Sequence, residues 1–144
     1  MQEETDFQKE EIFFFLLEQL IEEYTKQGVP AQYSGQSTEA DVICDFLENH
    51  YIENIALDDL CKLTGLSKYY LLRSFTKHRG ISPYSYLQTI RIDKAKKMLE
   101  QGVPPIQVAM QAGFTDQSHF SNFFKKLIGL TPKQYMNIFK NHNK

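Results

Sequence analysis

The amino-acid sequence predicts an all-α protein, and three observations lead there. Apolar residues recur three and four apart along most of the chain, as on one face of a helix. No run alternates apolar and polar residues over a useful strand length. Glycine or proline ends nearly every such segment, and Ser, Thr or Asp opens most of them.

The first helix is expected over residues 7–26. Phe13, Leu17, Leu20 and Tyr24 follow a 4-3-4 spacing, Ile12, Phe14, Phe15, Leu16 and Ile21 widen the stripe, and Gly28 and Pro30 stop it. Three successive phenylalanines cannot face one way, so this N-terminal amphipathic helix needs cover. The cover is its own domain, a missing neighbour, or a second copy in a homodimer through Phe13, Leu17, Leu20 and Tyr24. Residues 32–37 are polar and turn-rich and read as a linker. The domain boundary is therefore placed between 1–37, an acidic, hydrophobic head, and 38–144.

Thr38 opens the next helix with a Thr-x-x-Asp cap, and Val42, Ile43, Phe46 and Leu47 form its apolar face. Residues 57–64 make a short helix stopped by Gly65, and Ser67 caps another running to about His78. Ser82-Pro83 opens a long helix carrying Tyr84, Leu87, Ile90, Ala95 and Leu99, which Gly102 ends. Pro105 opens a short helix to Ala112, and a further one runs from about Asp116 to Ile128. Thr131-Pro132, with Gln134 completing a capping box, opens the last.

Composition narrows the class. With 144 residues, 42% hydrophobic and 24% charged, the chain is long enough for a core and too apolar for wholesale disorder. Its two cysteines, Cys44 and Cys61, sit at apolar helical positions and read as core thiols in a reducing, cytoplasmic compartment. The longest apolar run, residues 12–17, is too short to span a bilayer. The net charge of −2 hides a division. Residues 1–40 hold two basic and nine acidic side chains, a net of −7. From Ser67 onward thirteen basic side chains face three acidic ones, a net of +10. A basic body suits polyanions, nucleic acid above all. No Gly-rich phosphate loop, His-x-x-x-His or Cys-x-x-Cys spacing, or Ser/His/Asp set appears. No enzyme, cofactor or metal is expected. The competing class is a helical protein-interaction module with a merely basic surface.

The basic body contains a repeat. Residues 60–67 (LCKLTGLS) align with residues 108–115 (VAMQAGFT), residues 71–75 match 120–124, and Gly80-Ile81-Ser82-Pro83 matches Gly129-Leu130-Thr131-Pro132. Each unit is a short helix, a glycine turn and a longer helix, the layout of a helix-turn-helix. A small residue four before the glycine (Cys61, Ala109) lets the second helix cross closely. The glycine (Gly65, Gly113) supplies left-handed backbone, and Leu66 or Phe114 plugs the corner.

Residues 41–139 resemble the DNA-binding domain of the AraC/XylS family of bacterial transcription regulators. The resemblance is carried by Gly65-Leu66-Ser67, Tyr70-Leu71-x-Arg73-x-Phe75, Gly80-Ile81-Ser82-Pro83-Tyr84, and Arg91, Ala95 and Leu99. It continues through Gly113-Phe114-x-Asp116-Gln117-Ser118-His119-Phe120-Ser121-Asn122-Phe123-Phe124-Lys125-Lys126 and Gly129-Leu130-Thr131-Pro132-x-x-Tyr135. Ala56 departs from a usual Ser/Thr cap, Cys61 from a common alanine, and Asn122 from a frequent arginine. The resemblance implies two helix-turn-helix subdomains joined by a long linker helix. It further implies a transcription regulator, activator or repressor, that reads two adjacent major grooves of double-stranded DNA and works with RNA polymerase.

On the first recognition helix, Leu71 and Phe75 are then core, and Lys68, Tyr69, Leu72, Arg73 and Thr76 face outward. Arg73 matches guanine, Tyr69 and Leu72 suit thymine methyls, and Lys68 and Lys77 meet phosphates. On the second, Phe120 and Phe124 turn inward while Gln117, Ser118, Ser121 and Asn122 face out, with Lys125 alongside and Asp116 capping. Ser82-Pro83 and Thr131-Pro132 present helix N-termini that suit phosphate. A surface ion pair is the alternative for Arg73, and Arg91 is expected to pair internally with a carboxylate. Lys94, Lys96 and Lys97 read as a solvated face, and His119 as a packed histidine.

Overall fold

The computed structural model describes residues 2–24 and 39–142, with side chains from residue 6 to 21 and from 39 to 142. The expected linker at 32–37, the boundary placed there, the Thr38 cap and the Tyr24 side chain lie outside the described residues. Eight helices and no strand are present among them: α1 (Gln2–Tyr24), α2 (Glu39–His50), α3 (Leu57–Thr64), α4 (Lys68–Arg79), α5 (Pro83–Glu100), α6 (Pro105–Gln111), α7 (Gln117–Ile128) and α8 (Pro132–Lys140). The chain divides into two compact units.

The first unit holds α1 to α4 and the opening turn of α5. Ile43, Cys44, Leu47, Leu57, Leu60, Leu71 and Phe75 are buried, and Phe7 of α1 is 1% exposed, its ring 5.5 Å from that of Tyr84. Burial of a phenylalanine is worth roughly 1.5–3 kcal/mol, so α1 is anchored near its start. Val42, expected on the apolar face of α2, is exposed instead; Ala40 and Cys44 take the buried positions beside Ile43 and Leu47. The shift follows from a face centred on 40, 43, 44 and 47, the i, i+3, i+4, i+7 set.

The second unit holds residues 50–54, the rest of α5, and α6 to α8. Its core is Ile92, Ala95, Leu99, Val108, Ala109, Ala112, Phe114, Phe120, Phe124 and Met136. Arg91, fully buried, donates from Nε to the Tyr51 carbonyl at 2.8 Å and from Nη2 to that of Glu53 at 3.1 Å. It is internal, as expected, and backbone carbonyls of the 51–53 turn take these two hydrogen bonds. A guanidinium carries enough fixed donors to hold a loop's orphan carbonyls in this way. Gly113 lies against the same node: a Cβ there would come within 2.4 Å of the Tyr51 oxygen and 3.0 Å of Arg91 Nε.

Candidate nucleic-acid interface

The two helix-turn-helix units are built alike locally. Gly65 and Gly113 turn the chain at φ +73° and +90°. Ser67 Oγ accepts the Tyr70 N–H at 3.4 Å to start α4, and Asp116 Oδ1 accepts the His119 N–H at 2.6 Å to start α7. Each second helix therefore begins where its short polar residue satisfies an otherwise unpaired N–H. Ala56 has no side-chain acceptor, so at the start of α3 the Ala56 N–H donates to Asp59 Oδ2 at 2.9 Å and the Asp59 N–H donates to the Ala56 carbonyl at 3.1 Å.

Helix α4 places Lys68, Tyr69 and Arg73 on one face, and each is engaged. Lys68 Nζ donates to Glu10 Oε1 of α1 at 2.8 Å, and this bond raises the lysine above its ordinary pKa. Arg73 Nε lies 3.5 Å from Glu18 Oε1, also on α1, and its Nη1 donates to the Tyr69 hydroxyl at 3.0 Å. Leu72, expected to face outward, is 2% exposed and belongs to the core. Helix α1 packs on α4, with its ion pairs at Lys68 and Arg73 on either side of Leu72. The Thr76 hydroxyl is buried on the same face without a hydrogen-bond partner, while Lys77 is exposed.

Helix α7 is open by contrast. Gln117, Ser118, Asn122 and Lys125 are exposed, Ser121 is half-buried, and Phe120 and Phe124 point into the core. Among the described residues, none of the ion pairs involves α7. His119 is exposed rather than packed: its ring lies 5.9 Å from that of Phe114, on the outside of the aromatic cluster. Cys44 is buried and Cys61 half-buried, and burial raises both thiols above their ordinary range.

The two Ser/Thr-Pro starts are also occupied. Thr131 Oγ1 accepts the Gln134 N–H at 3.2 Å while its own N–H donates to Gln134 Oε1 at 3.0 Å, so the capping box takes two donors expected to suit phosphate. At α5, the Tyr84 N–H donates to Glu11 Oε1 of α1 at 2.8 Å. Burial pushes the Glu11 carboxyl up to about 7, with hydrogen bonds from Ser82 and the Tyr84 N–H opposing it. Glu10, Glu11 and Glu18 are thus the residues that sequence reasoning missed. A signal was present for two of them: Phe7, Glu11, Phe14 and Glu18 repeat the 4-3-4 spacing on a stripe about a third of a turn from that of Phe13, Leu17 and Leu20.

A helix-turn-helix domain family matches residues 60–138, more than half of the chain. The duplicated unit, its capped second helices and this match coincide. The chain belongs to the AraC family. This is a family of DNA-binding transcription regulators and not an enzymatic one. The C-terminal domain of the two-component response regulator yesN from Fusobacterium nucleatum is similar at 34% identity and a TM-score of 0.66, over 69% of this chain and 99% of that one. The DNA-binding domain of AdpA, solved in complex with a target DNA, shares the fold at 21% identity and a TM-score of 0.69, over 74% of this chain and 96% of that one. The HTH-type transcriptional regulator YbfI of Bacillus subtilis is 55% identical over 118 residues, which are 82% of this chain and 43% of the relative. The match thus covers less than half the length of that curated relative. No helix among its described residues is long and apolar enough to cross a membrane, and no group of three or more potential metal ligands forms there.

Proposed function

We propose that this chain binds double-stranded DNA by sequence and regulates transcription, with α4 and α7 each entering a major groove. The observation that carries the reading is the face of α7: Gln117, Ser118 and Asn122 stand exposed on a helix fixed by its Asp116 cap and by Phe120 and Phe124. Gln and Asn pair with adenine edges, and Lys125 and Lys77 supply phosphate contacts. Arg73 and Tyr69 supply the corresponding readout on α4. Leu72 takes part only where α1 has left that face.

Selection of bound duplexes from a random-sequence pool, at two salt concentrations, tests this. The expected result is an enriched motif of two blocks, the second relaxed by Asn122→Ala and the first by Arg73→Ala, each at a cost of roughly 1–3 kcal/mol. Binding that disappears with salt and enriches no motif would leave only a basic surface. Transcription from a promoter bearing the motif, with purified RNA polymerase, reads whether the chain activates.

A homodimer is the second part of the reading, and the outward stripe of α1 favours it: Phe13, Leu17 and Leu20 are 60%, 36% and 54% exposed. Their 4-3-4 spacing is that of a two-helix seam. Sedimentation is expected to show a dimer that Leu17→Asp dissociates, and a monomer at high concentration would sink it.

A further inference from the structure

Three carboxyl groups of α1 lie on three groups that would otherwise hold DNA. Glu10 takes Lys68 at 2.8 Å, Glu18 reaches Arg73 Nε at 3.5 Å, and Glu11 takes the Tyr84 N–H at 2.8 Å. A lysine for phosphate, an arginine for a base edge and a helix N-terminus are the three standard ways in which such a module holds a nucleic acid. From Glu10 to Glu18 the helix rises about 12 Å, the axial length of three to four base steps. The contact is firm: the Glu18 and Arg73 side chains are 20% and 27% exposed, Glu11 is buried, and Phe7 anchors the helix beside Tyr84. Leu72 and the Thr76 hydroxyl are shut in on the same face. Docking leaves the Phe13, Leu17 and Leu20 stripe of α1 exposed, so covering that stripe does not by itself release α4.

We propose that α1 is an intramolecular DNA mimic, which masks the first recognition helix until its carboxylates are displaced by the phosphates of a bound duplex. The inference rests on the DNA-reading proposal above. Among the described residues no ion pair involves α7, so the second unit engages DNA while the first is still covered. The acidic head and the basic body are then two halves of one competition, with α1 and DNA as alternative occupants of α4 and the start of α5.

The test uses the full chain in three forms: wild type, Glu10→Gln/Glu18→Gln, and a control with the same charge change at the exposed Asp45 and Asp93, Asp45→Asn/Asp93→Asn. Each is titrated with a fluorescein-labelled mixed-sequence duplex. The unmasked form is expected to bind about three- to tenfold more tightly than the control, the sum of two partly exposed ion pairs. A carbodiimide, which joins a paired carboxylate and amine as an amide with loss of water, is expected to couple Glu10 to Lys68 in the free wild-type chain and much less in the DNA-bound one. Equal affinities of the unmasked form and the control, or coupling undiminished at saturating DNA, would overturn the mask while leaving DNA binding standing. Absence of binding by all three forms would overturn both.

Discussion

Glu11 illustrates how a single side chain ties α1 to the rest of the first unit. Its carboxyl accepts the Tyr84 N–H inside a buried site, and desolvation raises its pKa from 4.5 to about 7. The docked state therefore binds the proton more tightly than the undocked one. Docking is fully supported below pH 4.5, weakens as the pH climbs from there through about 7, and carries a constant penalty above. The full shift corresponds to about 3 kcal/mol. Glu11→Gln keeps an acceptor for Tyr84 and cannot ionise. Thermal melts are expected to show the variant more stable than wild type at pH 8 and nearly equal to it at pH 4.5. A difference independent of pH would mean that Glu11 does not titrate in this window.

At the scale of the element, the two helix-turn-helix corners look interchangeable in sequence and are not so in space. Gly65 and Gly113 share a left-handed backbone, but a Cβ at Gly65 meets open space, whereas one at Gly113 collides with the Tyr51 carbonyl and crowds Arg91. Gly65→Ala then costs only the left-handed strain, about 1–2 kcal/mol. Gly113→Ala adds overpacking against backbone held by a buried guanidinium, for a total of roughly 3 kcal/mol or more. Urea denaturation of the two variants checks the ranking, and equal losses would refute it. The same contrast separates the recognition helices. Both start from a sound cap, but the ion pairs of α4 with α1 have no counterpart on α7 among the described residues.

For the whole molecule, the separation of charge is the governing property. Residues 1–40 carry a net of −7 and the chain from Ser67 a net of +10, so the small overall charge conceals a strongly basic surface and its own counter-charge. With Lys68, Lys77 and Lys125 on phosphates, the logarithm of DNA affinity is expected to fall against the logarithm of salt with a slope of about −3. A slope near zero would remove phosphate contact from the account.

The repeat, the helices from residue 39 onward and the caps at Ser67, Asp116 and Thr131 were legible in the sequence, although α1 begins at Gln2 rather than at residue 7. Leu57–Thr64 appears with the bounds expected, and Ser67, Asp116 and the Thr131–Gln134 box cap as expected. These features act over three or four residues, and such short-range geometry is written in local residue order. Tertiary structure alone decided where α1 lies, and with it the burial of Leu72, the engagement of Lys68 and Arg73, and the closure of the α5 start. It also decided that Arg91 meets the carbonyls of the 51–53 turn. Those contacts join residues 58, 73 and 40 apart in sequence. A helix with phenylalanines on two separate stripes does not say which of them the protein will use. Only packing, which weighs one face against the other, settles that choice.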